Sequence, residues 1–489
     1  MKKSILLLLF LFLATTLMAC NENSAYSDFE KFILDLDSTI TADMDLPQTY
    51  ENTPVSYYYN DEKIEKIEFP YSNKDIEITI DVVLENDDEI KVSKQILVKK
   101  SKIIYDLYIS TENQQEITSK DDYIRGNLSL EDDGPFSKDE LGLRIRGRGN
   151  STWEYPKKPY KIKFDERQSL LGMAAAKEYV LLAEYNDKSL MRNYLAQYFT
   201  QFLNVDRFLE TRYVNLHVNE VYQGLYLLTE QVEVDSNRLS IDESERSDGG
   251  FLIELEADDR VNQEGVMDID WFKVDGRNFV IKSPDMEDYT SDIVDDKIDY
   301  MKTYLNEFLI SIENDTYEDY IDVDNFIDYF ILAELFKQVD IGYSSVYTYK
   351  DVDQKLKMGP SWDFDISSGN GDYYDYGPEG YWVDYNPWFR KLIQKKSFET
   401  QYTARFKEVM DLYFDDLLFE LDYVSNLLYP YAIDNFATWT ILDEYVWPNP
   451  QEMLEANTYL KQIIYLKNYL IQRESWLEDE MHTYGYYLD

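Results

Sequence analysis

Three aspartates hold most of the chemistry this sequence can offer. Asp340 and Asp363 stand 23 residues apart. Between them "SSVYTYK" and "KLKMGPSW", joined by "DVDQ", read as a short hairpin. A hairpin folds back on itself, so carboxylates at its two ends can face one pocket. One would accept a proton from a hydroxyl, and the other would hold a divalent cation against phosphate oxygens. Asp365 lies two positions further on. In extended backbone it shares a face with Asp363, which makes it a candidate second ligand. Taken alone, Asp340 is equally an ordinary capping or loop aspartate. Asp363 sits between Trp362 and Phe364, where an unpaired carboxylate is costly.

A cationic stretch complements these acids. Residues 144–163 hold Arg144, Arg146, Arg148, Lys157, Lys158, Lys161 and Lys163 against one acid, Glu154. Gly147 and Gly149 flank Arg148, with Asn150 next. Two glycines so spaced between strand-like segments permit a tight turn whose exposed N–H groups cradle phosphate. Arg148 would add charge-assisted bonds to phosphate oxygens. "YKIKF" alternates, so Lys161 and Lys163 point to one face, and either can reach a nucleotide's phosphates. A hairpin turn with a solvated basic face accounts for the same residues.

The elements that must position these groups follow a simple order. From residue 103 strands come first, "IIYDLYIS", "NLSLED" and "LGLRIRG", followed by "YKIKFD" after the basic turn. Apolar spacing predicts a helix over 187–204 with Asp187 as cap. The strands "RYVNLHVN" and "EVYQGLYLLTEQV" follow, and then "GGFLIELE". Helices are expected over 286–311 and 322–339, the latter capped by Asp322 or Asp324. A long helix over 451–481 closes the chain. Residues 27–99 alternate in the strand manner with no strong helix, which predicts a small β-sandwich behind a short tether, residues 21–26. The stretch "LDLDSTITADMDLPQTYENTPVSYYY" within it resembles the immunoglobulin-like modules of bacterial surface proteins.

Composition narrows the class. The 489 residues carry 95 Asp+Glu against 48 Lys+Arg, a formal net charge of -47. Such a surface repels nucleic acid and anionic membrane and attracts basic partners. With 44% apolar and 16% aromatic residues, a packed core is available. Two histidines and one cysteine leave no material for zinc or Cys/His nucleophile sites. Lys2 and Lys3 precede an apolar run, and "LMAC" ends at Cys20. This predicts a lipoprotein signal over residues 1–20, with lipidation at Cys20 and export to the outer face of a bacterial cell membrane.

Four motifs together resemble the CotH family of spore-coat-protein kinases and their relatives: "RGRGNSTWEYPKKPYKIKF" at 146–164, "DKSLMRN" at 187–193, "YQGLYLLTEQVE" at 222–233 and "MGPSWDFDISSGN" at 358–370. The resemblance runs from about 103 to 485. It implies an α+β, atypical protein-kinase-like domain with a β-rich N-lobe and a helical C-lobe. It further implies ATP and Mg²⁺ or Mn²⁺ as cofactors, and γ-phosphoryl transfer to Ser or Thr of a secreted or surface protein. The docked partner would be basic, the membrane would be met only through the lipid, and the chain would be a monomer. By the same resemblance Gly147, Arg148, Gly149 and Asn150 form the phosphate loop. Lys163, or else Lys161, is the phosphate lysine, and Glu230 lies where adenine is held. Asp340 is the catalytic aspartate and Asp363 the metal ligand. Arg192 and Asn193 belong to a motif without an assigned role. Ser345 stands where kinases often place an amide ligand for a second metal, so that metal is either absent or supplied by Asp365. The alternative is a non-catalytic surface protein on the same fold that binds cell wall, glycan or a host surface.

Overall fold

The computed structural model describes residues 22–40, 44–60, 62–67, 75–85, 90–99, 104–131, 136–261 and 269–486. The export signal and Cys20 lie outside the described residues. The fold is α+β, and the chain parts into two compact units near residue 103.

The first unit contains a helix where none is expected. Glu22–Asp35 is helical, so the tether and the first residues of the expected sandwich form one element. Phe29 and Ile33, one turn apart, are fully buried. That i, i+4 pair is the helical signal, outweighed in the sequence by the polar residues around it. Lys94 Nζ donates to the Leu34 and Leu36 carbonyls at 3.1 and 2.9 Å and satisfies the end of the helix. The strands form a six-stranded sheet and a separate two-stranded one. Strand Thr39–Ile40 runs parallel to Ile90–Val98.

The second unit begins with a closed seven-stranded barrel. Its order is Ile124–Glu131, Lys138–Gly147, Tyr160–Gln168, Ala176–Leu182, Val221–Glu230, Thr211–Val218 and Tyr105–Thr111, which returns to the first. Closure removes the exposed edges that so many short strands would otherwise present. Period-2 alternation fills the interior. Tyr160, Ile162 and Phe164 are buried, while Lys161 and Lys163 between them face outward. Arg146 pairs in register with Lys161, and Arg144 with Lys163. Four cations therefore stripe one outer face, an arrangement that like-charge repulsion disfavours unless carboxylates or a ligand anion offset it.

A five-stranded antiparallel sheet follows, in the order Trp271–Val274, Arg277–Ser283, Phe251–Glu256, Val346–Lys350 and Lys357–Met358. Its last pair is the hairpin read between Asp340 and Asp363, with Thr348 opposite Met358. Helix Val323–Phe336 is almost wholly buried, its apolar residues joined by the buried Asn325, Asp328 and Glu334, so it is the centre of the helical part. Asp322 caps it by accepting from Asn325 N at 3.2 Å. Around it stand Ser291–Glu313, the 43-residue Lys396–Thr438 and Tyr459–Glu480. The expected closing helix is in fact two, Gln451–Glu455 and Tyr459–Glu480, because Thr458 starts a new cap. The helix expected from Asp187 starts only at Arg192.

Candidate active site

The basic turn leaves the barrel after Gly147. Gly147 N donates to the Ser119 carbonyl at 2.8 Å, and Arg148 N to the Pro159 carbonyl at 3.2 Å, which fixes both ends of the loop. Gly149 has φ +85°, and a Cβ there would come within 2.1 Å of Thr152 Oγ1, so only glycine fits. Gly147, Arg148, Gly149 and Asn150 all line a cavity of about 430 Å³. The Arg148 guanidinium lies over the Trp362 ring, 5.1 Å from its centroid. Burial pulls Arg148 below its usual pKa, and the carboxylates of Asp363 and Asp365 oppose that pull.

The two strand lysines separate here. Both bond Glu178, Lys161 to Oε2 and Lys163 to Oε1, each at 2.5 Å. Burial raises the Glu178 carboxyl, but the lysines overrule it and hold the group below the ordinary range. Lys161 also lines the cavity. Lys163, one strand pleat further from the loop, does not. The sequence reading preferred Lys163 over Lys161; the structure brings Lys161 to the cavity.

Asp340 reaches the same cavity from the other side. The central helix ends at Lys337 in the left-handed region, and a short 3₁₀ turn, Val339–Gly342, presents Asp340. Gln338 Nε2 donates to the Trp362 carbonyl at 2.7 Å, tying the turn to the Asp363 segment. Asp340, Asp363 and Asp365 all line the cavity. Asp363 sits at φ +66°, a strained conformation for a residue with a Cβ, and Ser345 and Glu184 on the same lining share that strain at φ 60° and 48°. Burial, then the charge of Asp363, pushes Asp340 up to about 7. The same two causes in the same order push Asp365 up to about 7, opposed by its bond from Asn186 Nδ2 at 2.8 Å. Among the described residues no cluster of three ligating side chains forms a ready-made metal cage.

The "DKSLMRN" motif supports this loop. Asp187 accepts from Met191 N at 3.0 Å and Arg192 N at 2.8 Å, capping the late-starting helix from a distance, and it pairs with the Arg192 guanidinium. Arg192, fully buried, donates onward to the carbonyls of Ser367 and Ser368 at 2.9 and 3.1 Å. Asn193 Oδ1 accepts from Phe364 N at 2.8 Å, between the two aspartates, while its Nδ2 donates to Glu184 Oε1 at 3.0 Å. Asn370 Nδ2 donates to the Asp365 carbonyl at 2.8 Å. The middle and the far end of the Asp363–Asp365 segment are thus hydrogen-bonded to buried side chains.

Glu230 does not line the cavity. It is completely buried, and its carboxylate accepts from Arg207 Nη2 at 2.7 and 2.9 Å and from Arg238. Two guanidinium groups consume it, and its neighbour Gln231 faces the cavity instead. The sequence reading missed Glu184, Glu254, Glu256 and Lys282, which also line it. Glu254 pairs with Lys282 at 3.1 Å. Burial, then the charge of Asp187, pushes Glu184 up to about 8. Burial, then Glu254, pushes Glu256 up to about 7. The "FLIELE" alternation puts two glutamates on one face of a strand otherwise wholly apolar, which was the available signal.

With this geometry in hand, the family model described as CotH kinase protein matches residues 145–477, more than half of the chain. The chain belongs to the CotH kinase family. No curated protein matches it. The matched span takes in the basic turn, Lys161, the Asp187–Asn193 loop, Asp340, Asp363 and Asp365.

Proposed function

We propose that this CotH kinase family member transfers the γ-phosphoryl group of ATP to a Ser or Thr hydroxyl of a basic secreted or surface protein. One observation carries the reading. Arg148 and Lys161 meet Asp340, Asp363 and Asp365 in a single cavity, although nearly two hundred residues separate the two sets in sequence. On this reading the barrel and the helical part are the counterparts of kinase N- and C-lobes.

The chain's own groups divide the work. The Gly149 and Asn150 N–H groups and the Arg148 guanidinium bind phosphate oxygens and stabilise charge as it spreads over them. Lys161, held by Glu178, orients the phosphates. Leu182 and Gln231, also on the cavity lining, take the adenine end in place of Glu230. Asp340 accepts the proton of the acceptor hydroxyl as its oxygen bonds to the γ-phosphorus. The bond from that phosphorus to the β,γ-bridging oxygen breaks, and ADP leaves. Asp363 and Asp365 fit Mg²⁺ or Mn²⁺, since two carboxylates with phosphate oxygens and water complete the hard-oxygen shell such ions take. The cation would neutralise phosphate charge that seven cavity carboxylates otherwise repel. No cage of three protein ligands is needed for this. Export, lipid attachment at Cys20 and a monomeric state complete the proposal on sequence grounds.

The test is labelled ATP with Mg²⁺ or Mn²⁺ and purified residues 21–489. Self-labelling and a nucleotide-dependent thermal shift are expected, both lost in Asp363→Ala. Asp340→Asn should abolish transfer and keep the thermal shift. No nucleotide effect with either metal would overturn the proposal.

A further inference from the structure

Of the six cations on the cavity lining, Arg260 is the one whose charge acts on Asp340. Four of the others are engaged. Arg146 donates to the Lys120 carbonyl, Arg148 stacks on Trp362, and Lys161 and Lys282 pair with Glu178 and Glu254. Arg260 is not so tied. Its one ion pair, among the described residues, is with Asp259 at 3.9 Å, beyond hydrogen-bonding distance, and Asp259 is 66% exposed. Water screens such a pair. Its Nε is shut off from water and makes no hydrogen bond. A buried donor left unmet is costly, so a guanidinium held this way on a cavity wall points to a ligand.

The backbone beneath Arg260 is fixed. The residue rides on the single helical turn Asp258–Val261, directly after the strand Phe251–Glu256. Asn278, buried, donates to the Glu256 carbonyl at 3.2 Å and to Asp258 Oδ1 at 2.9 Å, and Arg260 N donates to the Ala257 carbonyl at 3.0 Å. Val261 buries the end of the turn. From there the guanidinium opposes the upward push on both Asp340 and Glu256. Arg148 stands in the same relation to Asp363 and Asp365. Each acidic wall of the cavity therefore has its own arginine.

We infer that Arg260 is a catalytic residue: its guanidinium donates to the non-bridging oxygens of the phosphoryl group in flight, on the side where the acceptor hydroxyl enters. The inference rests on the proposed phosphoryl transfer. As the acceptor oxygen bonds to phosphorus and the bond to the β,γ-bridging oxygen breaks, the hydroxyl proton passes to Asp340. Arg260 gives up no proton and stabilises the moving negative charge. ATP at rest is held by Arg148, Lys161 and the loop N–H groups, so Arg260 acts on kcat rather than on nucleotide affinity. Charge balance for Asp340 and Glu256 alone would also call for an arginine here. Balance is best served by a direct pair, however, and among the described residues neither carboxylate forms one with Arg260.

The test uses residues 21–489 and calorimetry of ADP with Mg²⁺ or Mn²⁺, with and without aluminium fluoride, a mimic of the transferring phosphoryl group. In the unaltered protein aluminium fluoride should tighten ADP about a hundredfold. Arg260→Ala should keep ADP affinity within about threefold and lose at least about tenfold of that gain. In a transfer assay kcat should fall about 10²–10³-fold with KM for ATP within about threefold, and Arg260→Lys, which keeps the charge without the fork, should fall between. A purely charge-balancing arginine would leave the aluminium fluoride gain unmoved. The same gain in Arg260→Ala, an equal loss for ADP alone, or no gain in an unaltered protein that binds ADP would overturn the inference. An unaltered protein that binds no nucleotide with either metal would overturn the phosphoryl-transfer reading and this inference with it, so the two failures are told apart by the protein that shows them.

Discussion

Arg148 lies over Trp362, its guanidinium carbon 5.1 Å from the ring centroid. The contact joins the middle of the basic turn to the residue just before Asp363, so one side chain aligns the cationic and anionic halves of the cavity. Stacking also holds the guanidinium in place with no carboxylate spent on it, which leaves its donors for phosphate. Lysine cannot reproduce a planar stacked fork. Arg148→Lys is expected to weaken ATP about tenfold, some 1.4 kcal/mol, in titration calorimetry with Mn²⁺, and to leave the melting temperature without nucleotide within about 2 °C. An unchanged affinity would show that the turn is merely a solvated basic face.

Asn193 acts on the opposite side of the same segment. Asn193→Ala removes the acceptor from Phe364 N and the donor to Glu184, so a buried amide between Asp363 and Asp365 loses its partner, a cost of about 1–3 kcal/mol. Asp363 holds a strained φ of +66°, which persists only while its surroundings impose it. The variant should therefore lose transfer by about 10–100-fold, with the apparent Mn²⁺ requirement rising in parallel. A loss of melting temperature with an unchanged metal requirement would make Asn193 a structural residue only.

These two sites show how much of the molecule was readable in advance. Arg148, Gly149, Asp363 and Asp365, read from residue type and local spacing, all line the cavity. The choice between Lys161 and Lys163 was not. Period-2 alternation puts both on one face, and only the distance to the turn separates them. Glu184, Glu254 and Glu256 carried little signal in a chain with 95 acids. Their place is set by strands and loops that converge from afar. That Glu230 lies off the cavity lining has a related cause. A strand glutamate looks the same in sequence whether it faces a ligand or two arginines. The α+β character and the hairpin came from periodicity, but barrel closure depends on the Tyr105–Thr111 strand pairing in parallel with Thr211–Val218, a contact no local pattern encodes.

Glu233 gives a pH dependence away from the metal ligands. Burial, then the charge of Glu178, pushes its carboxyl up to about 7, with Arg238 opposing. The folded state therefore binds this proton more tightly than the unfolded chain does. Its contribution to stability is complete below the ordinary glutamate pKa of about 4.3 and is lost as pH rises through about 7. Glu233→Gln keeps the neutral shape at all pH values. Thermal melts should show the variant equal to wild type below about pH 4 and more stable near pH 8, with the curves diverging by at most about 1.4 kcal/mol per pH unit. Parallel curves would mean that Glu233 is solvated in the folded protein.

The buried pair Arg473–Glu334 tests what holds the helical part around the site. Both side chains are wholly inaccessible. Glu334 also accepts from Trp382 N and Val383 N at 2.8 and 2.9 Å, and Arg473 donates to the carbonyls of Pro378 and Gly380 at 2.9 and 2.6 Å. The pair thus fastens the 378–383 segment to the same central helix whose end presents Asp340. Arg473→Met strands a carboxylate in the core and should cost about 3–5 kcal/mol in denaturant melts. Adding Glu334→Gln removes the stranded charge while an amide oxygen still accepts from one of the two backbone donors, so the double variant should recover part of that loss. If the double variant is less stable than Arg473→Met, the Glu334 carboxylate is held chiefly by the backbone N–H groups, and the arginine adds little.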